Sequence, residues 1–356
     1  MKFRKFTALF ITAAMAAALA ACGGSSASST TEAKVEAAKG DAAEEKTDAA
    51  AADEKEVMMD LATAYAADSP AGVALAAFVD DVKEKSGGSI DISLFTDGTL
   101  GNTTDNYKSV SSGDLDMTMS GLEGLDLYAP EYTFLDAPFL IKNWDHLDAI
   151  LKSGIGDELK ERYAENGIQT LGWHKRDVRV LSTNKKVESP ADVNGLRLRL
   201  PGMTVYVDTW TALGVTSTTI AMNELYTGLQ QKMADASEGG YEQMNTLKLY
   251  EVQDYIEETN HVYEFVGLFI NKDIYDSLSE NQKNILAECA EKHLADADKN
   301  SAEKREEYKQ ACIDGGMEFV ELDTAPFREA LEDYYKKQFE SKWTVADYDE
   351  VMDFAK

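Results

Sequence analysis

Four of the chain's eight arginines, Arg176, Arg179, Arg197 and Arg199, fall inside one window of 24 residues. A guanidinium stays charged at any physiological pH and offers a planar fork of donors that meets a carboxylate with two parallel hydrogen bonds, where an ammonium offers a point charge. In a chain of formal net charge -29, such clustering points to capture of a small anion, an organic acid above all. The acidic balance speaks against nucleic acid, whose phosphates need a basic surface. Distant acids are screened beyond a Debye length of about 8 Å and leave a local arginine pair free to act.

Other chemistries lack their residues. There is no G-x-S-x-G elbow and no setting for a nucleophilic cysteine. His146, His174, His261 and His293 are scattered without metal-ligand spacing and read as solvated or structural. Gly154-Ile155-Gly156 lacks the third glycine of a dinucleotide loop and follows helix-like residues, so it reads as a helix N-terminus. The many carboxylates predict an acidic surface rather than general acid-base catalysis. No catalytic residue, metal or cofactor is expected.

The arginines sit in a series of separated motifs: R-V-L-S-T-N-K from Arg179, G-L-R-L-R-L-P from Gly195 to Pro201, E-L-Y-T-G-L-Q from Glu224 to Gln230, and D-A-S-E from Asp235 to Glu238. In this order and spacing they resemble the DctP-type solute-binding proteins of tripartite ATP-independent periplasmic (TRAP) transporters, from about Leu61 to the C-terminus. The resemblance implies a two-lobed, periplasmic-binding-protein-like α/β fold with hinge strands and a long helix spanning both lobes. It implies a carboxylate ligand in the interlobe cleft, no enzymatic activity, and a permease of two membrane subunits driven by an ion gradient. Arg199 matches the family's carboxylate clamp, Arg197 a position at the rim, and Arg179 the family's earlier arginine.

Departures fall where ligands are chosen. Gly239 follows Glu238 where some members carry asparagine, Ser217 and Thr219 replace prolines, and Gly121 stands where a glutamate is often found. Arg199 has a second reading, pairing with Glu238, and the two coexist if Glu238 orients its guanidinium. Arg179 reads equally as a ligand contact or as a tie between domains, and Asp235 as a turn residue. Trp173 and Tyr241 read as pocket floor or as core. Tyr65, Ser120, Met222 and Gly239 complete the candidate ligand-binding set with Arg199, Arg179, Glu238, Trp173 and Tyr241.

The N-terminus speaks to location. Lys2, Arg4 and Lys5 precede an apolar run from Phe6 to Ala21, too short to span a bilayer and ending in small residues, as in a secretory leader (residues 1–21). Leu19-Ala20-Ala21-Cys22 is a lipobox, which makes Cys22 the expected acylated first residue of the mature, membrane-anchored chain. Residues 22–56 lack aromatics and nearly all large aliphatic side chains, so they form a tether that cannot offset its own ordering entropy.

The remaining elements must position the arginines. Val57 to Tyr65 reads as a strand, Ser69-Pro70 opens a helix, Gly87-Gly88 turns into a strand at Ile90, Ile92 and Leu94, and a helix near Asn102 to Ser112 leads to a strand at Leu115 to Met119. This βαβαβ order implies a largely parallel sheet whose strand ends bring Tyr65 and Ser120 to a cleft. Further strands are expected near Ile168 to Trp173, Arg179 to Thr183 and Leu196 to Leu200, with Tyr206, Trp210 and Leu213 on one side of a following helix. From Ser279, capped by Gln282, one helix is expected to run to Gly315, a rod of roughly 50 Å that crosses two domains. Cys289 and Cys312, about 35 Å apart along it, are expected as free thiols. Residues 57–176 with about 265–300 are assigned to lobe I, and 177–264 with about 301–356 to lobe II.

Overall fold

The computed structural model describes residues 55–356 apart from Leu122 and Ala221. The expected leader, the expected acylation site Cys22 and the expected tether as far as residue 54 lie outside the described residues.

Nine strands form one sheet: β1 (Val57–Thr63), β2 (Ile90–Phe95), β3 (Met117–Ser120), β4 (Ile168–Thr183), β5 (Arg197–Leu200), β6 (Thr216–Thr219), β7 (Ala236–Gly239), β8 (Tyr255–Asn271) and β9 (Glu318–Val320). Their order is β2-β1-β3-β8-β4-β7-β5-β6, with β9 beside β8. Parallel pairing joins β1 to β2 and β3 in one lobe, and β5 to β6 and β7 in the other. The expected parallel order thus describes the two wings. The centre is antiparallel, where β4 and β8 pair along nearly their whole length and carry both wings.

The separate strands expected at Ile168 to Trp173 and Arg179 to Thr183 are one 16-residue strand. The polar run Lys175-Arg176-Asp177 looks like an interruption in sequence, but register shifts beside it and at two neighbouring points absorb the irregularity while pairing with β8 continues. Its partner, the 17-residue β8, went unassigned in the sequence. Along β8, Val266, Leu268 and Ile270 enter one apolar cluster while Phe265 and Phe269 enter another, so both sheet faces are covered here.

Local signals behave as their chemistry requires. Ser69 accepts from the Gly72 amide at the start of helix Pro70–Lys85, and Gly87 and Gly88 take left-handed φ values of 61° and 87° at its end. Ser279 and Gln282 form a capping box at the head of the 35-residue helix Glu280–Asp314. Ile285, Leu286, Cys289 and Leu294 of this helix pack in the core with Leu75 and Phe78, whereas Cys312 joins a different cluster with Val180 and Tyr241. Between these ends Asp298 accepts from His174 Nδ1 at 2.7 Å, and Arg305 lies 3.4 Å from Asp177. The rod therefore lies along the back of the hinge strands and bridges both wings. Cys289 and Cys312 are buried free thiols. Among the described residues no helix is long and apolar enough to cross a membrane.

One buried carboxyl ties β8 to the loop after β4. Glu257 Oε1 accepts from Thr183 Oγ1 at 2.7 Å and from the Val187 amide at 3.1 Å, while its other oxygen has no partner. Burial pushes its pKa from 4.5 up to about 7. The folded chain then holds a proton that the unfolded chain has already released, so this group lowers stability as pH rises from about 4.5 to about 7 and adds no further slope above that. We expect Glu257→Gln to flatten that interval in urea denaturation and to raise the midpoint at pH 8 relative to wild type. An unaltered pH slope would refute the assignment.

Candidate functional site

The four-residue strand β5 sorts its arginines by depth. Leu198 and Leu200 are fully buried. Arg197, at the exposed end, makes a two-pronged pair with Asp235, its Nε donating at 2.8 Å. That pair is a surface clasp across β5 and the turn before β7, so Asp235 has an ionic role besides its turn. Arg199 is only 4% exposed. Its Nε donates to the Ile220 carbonyl at 2.9 Å. Among the described residues no carboxylate lies within 4 Å of Arg199, and neither terminal nitrogen has a hydrogen-bond partner. Burial pulls its pKa down, the charge of Glu238 opposes this, and the like charge of Arg179 adds to it. A buried cation with two nitrogens unspent is costly unless a partner takes them up.

Arg179 differs. The register of β4 against β7 sets Leu181 opposite Glu238, and Arg179 Nε and Nη2 donate to the two Glu238 oxygens at 2.7 and 2.8 Å. Its Nη1 donates to Glu264 at 3.1 Å, and its guanidinium lies 5.3 Å from the centre of the Tyr206 ring. Glu238 therefore orients Arg179 and not Arg199, contrary to the sequence expectation, because the antiparallel neighbour brings its carboxylate to β4. Burial alone would raise Glu238, but Arg179's charge and hydrogen bonds, with His261, hold it far below the usual carboxylate range. His261 Nε2 lies 3.1 Å from Glu238, and its Nδ1 lies 2.7 Å from the Thr259 hydroxyl. Burial keeps this imidazole neutral, so donation from Nε2 to Glu238 leaves Nδ1 to accept from Thr259.

Three further charged residues join the network. Arg176 Nη1 donates to Glu264 at 2.8 Å and Nη2 to Glu242 at 3.1 Å, while its guanidinium lies 4.9 Å from the centre of the Tyr65 ring. Glu264 thus bridges Arg176 and Arg179 and is held below its ordinary pKa against burial by both charges. Glu123, at the start of helix Glu123–Tyr128, is raised by burial and by Glu264, with Arg179 and Arg176 opposing. Behind Tyr206, Asp136 accepts from its hydroxyl at 2.8 Å.

The other expected site residues divide. Tyr65 stands over Arg176. Ser120 is buried at the end of β3, its hydroxyl 2.7 Å from Thr118 Oγ1. Gly239 is buried beside Glu238, where a Cβ would run into the Gln243 side chain. Met222 is 49% exposed. Trp173 packs against Tyr163, Phe265 and Phe269, which is the core reading of the two weighed for it. Tyr241 is likewise core: fully buried with Val180 and Cys312, it lies beneath Arg305 on the long-helix side. Neither contacts the arginine cluster.

Sequence reading missed Glu264, Glu242 and Tyr206 as partners of the arginines, His261 as a partner of Glu238, and Glu123 as a neighbouring acid. Glu264 did leave a signal, being the one acid inside the otherwise apolar run V-Y-E-F-V-G-L-F-I. All four histidines are buried, so of the two readings the structural one holds. Ser153 caps the helix that begins at Gly154, as expected. Among the described residues no group of three His, Cys, Asp or Glu side chains could hold a metal ion.

A cavity of about 360 Å³ also lies between the long helix and the hinge strands, bounded by Trp144, Lys175, Asp177, Tyr263 and Arg305. It shares Arg176 with the cluster but excludes Arg179 and Arg199. Its charges are already matched, Lys175 with Asp148 at 2.7 Å and Asp177 with Arg305 at 3.4 Å. Arg199 lies outside it.

A two-lobed α/β fold with a buried arginine cluster where its wings meet describes the binding proteins that take up solutes outside the cytoplasm. Residues 61–342 match the family DctP, bacterial extracellular solute-binding protein family 7, and the chain belongs to it. Its relatives include the 2,3-diketo-L-gulonate-binding periplasmic protein YiaO of Escherichia coli (strain K12), 29% identical over 75% of this chain and 82% of that protein. Another is the sialic acid-binding periplasmic protein SiaP of Vibrio cholerae, 27% identical over 72% of this chain and 81% of the other. Among solved structures, the sugar acid binding protein DctPAm from Advenella mimigardefordensis, in complex with galactonate, is 26% identical with a TM-score of 0.75, covering 85% of this chain and 99% of its own.

The two buried arginines should respond differently to removal. Arg179→Ala strands Glu238 and half of Glu264, and breaking a buried pair costs about 3–5 kcal/mol. Arg199→Ala loses one hydrogen bond to a carbonyl, a change of about 1 kcal/mol. Urea denaturation of the ligand-free proteins checks this; equal losses would show that Arg199 is held as Arg179 is.

Proposed function

We propose that this protein is a lipid-anchored extracytoplasmic receptor that captures a small organic acid between its lobes and delivers it to a TRAP-type permease. Arg199 is the carboxylate clamp. The observation that carries this reading is the buried, carboxylate-free guanidinium of Arg199 beside the saturated Arg179-Glu238 pair. A carboxylate arriving there meets two open nitrogens and a fixed fork, and closure of the lobes removes the pair from water and strengthens it. Arg179 sets the field around the clamp. Tyr65, Ser120, Met222 and Gly239 line the approach from the strand ends.

The mechanism is capture and release without covalent chemistry, with hinge motion along β4 and β8 as the moving part. The hinge divides residues 57–176 with about 265–300 from 177–264 with about 301–356. Cys22 carries the lipid, and the tether keeps the receptor near the membrane subunits that accept its ligand. Support for an acid as ligand comes from relatives whose names specify 2,3-diketo-L-gulonate, sialic acid and C4-dicarboxylate, and from the galactonate complex.

A thermal-shift screen of aldonates, uronates, keto acids and dicarboxylates tests the reading. A ligand at a hundred times its Kd stabilises the native state by about 2.7 kcal/mol and raises Tm by roughly 5 °C or more. We expect a carboxylate hit in wild type and none from the same compound with Arg199→Ala, whose ligand-free Tm stays near that of wild type. Full binding by folded Arg199→Ala would remove the clamp from Arg199.

A further inference from the structure

The cleft carries more acid than its arginines can neutralise, and this bears on which acids it accepts. The fork of Arg176 is divided between Glu242 and Glu264, and that of Arg179 between Glu238 and Glu264. Among the described residues, Arg199 alone of these three has no carboxylate, so the cluster has room for one ligand carboxylate. Glu123 lies near the same cluster. Its Oε2 lies 3.0 Å, and the Tyr65 hydroxyl 3.2 Å, from the point where a Cβ on Gly121 would sit. The absence of a side chain at 121 opens a space that a carboxylate and a phenol fill together. No basic group lies within 4 Å of Glu123 among the described residues, while Glu264, Arg179 and Arg176 are close enough for their charges to act on it.

Resting on the reading of Arg199 as clamp, we propose that Glu123 decides the ligand class: it accepts hydroxyl hydrogens from the end of the ligand remote from the clamp and repels a second carboxylate there. The receptor then takes hydroxylated monocarboxylates of the aldonate or uronate type and refuses diacids. Two effects act together. A carboxylate without a cationic partner accepts strongly from hydroxyl donors and is left unpaired by a ligand that lacks them. A second ligand carboxylate would face Glu123 and Glu264 at close range, with both nearby arginines already committed.

Isothermal titration of ligand-free protein with matched aldonate and aldarate pairs of four, five and six carbons tests this. At whichever length binds, the aldonate is expected to be tighter than the aldarate by about tenfold or more. Glu123→Gln should bring that ratio towards one by gaining aldarate affinity. An aldarate that binds wild type as tightly as its aldonate overturns the proposal, and so does a ratio unchanged in Glu123→Gln. Failure of the clamp reading looks different: aldonate affinity would then survive in Arg199→Ala whatever the ratio. Silence from every acid, in wild type and variant alike, would overturn both.

Discussion

A guanidinium taken out of water must be given oxygen atoms, and the arrangement of this protein follows from meeting that demand at Arg179 and leaving it half met at Arg199. Arg179 spends three nitrogens on two carboxylates. Each of those acids is itself shared, Glu238 with His261 and Glu264 with Arg176. At its centre Arg179, Glu238 and Glu264 all find partners, which is the condition under which buried polar groups hold a structure in place instead of loosening it. Arg199 stands beside them with a single bond to a carbonyl. Its remaining demand is a standing free-energy cost, which in the proposed role an incoming carboxylate relieves.

That contrast depends on the antiparallel centre of the sheet. The wings alone, parallel and helix-covered, would place strand ends opposite one another but supply no residues between them. β4 and β8 run through both wings, and where they cross they present Arg176, Arg179, His261 and Glu264 in one short stretch of paired backbone. Register shifts beside Arg176 and Arg179 break strict alternation there, which lets both arginines reach Glu264. The long helix restrains the same crossing from behind through Asp298 and Arg305. The geometry at the cleft is thus set by continuous elements rather than by loops.

Much of this was legible in sequence, for reasons that differ by residue. Local signals transferred directly: the Ser279-Gln282 box, the Ser69-Pro70 helix start and the Gly87-Gly88 turn each need only neighbours to act. The rim place of Arg197 and the inner place of Arg199 were what the family resemblance implied, and the exposed end and buried interior of β5 match that order. What failed was partnership at long range. The second reading weighed for Arg199 paired it with Glu238, whereas the register of β7 against β4 brings that acid to Arg179, and register is not written in either strand alone. β8 escaped notice because its run of T-N-H-V-Y-E mixes polar and apolar residues without a clean period, His261 and Glu264 being satisfied by partners far away in sequence. Tyr241, weighed as pocket floor by aromatic packing or as core, begins a helix and packs in the core.

An acidic protein in the proposed role of acid receptor is consistent once distance is considered. The formal charge of -29 is screened beyond a Debye length of about 8 Å, while the cluster acts within a few ångströms. Carboxylates inside the cluster are also what allow its arginines to coexist. Arg179 acts on Arg199 as a like charge, and without Glu238 and Glu264 the three guanidiniums would repel one another and splay towards water. The internal acids occupy the forks of Arg176 and Arg179 and leave that of Arg199 unspent. A site built this way is not a generic basic patch: its acids outnumber its arginines, and its attraction comes from one fork with a fixed orientation. In the proposed role the same arrangement lets an anion leave again, since release leaves the rest of the network intact.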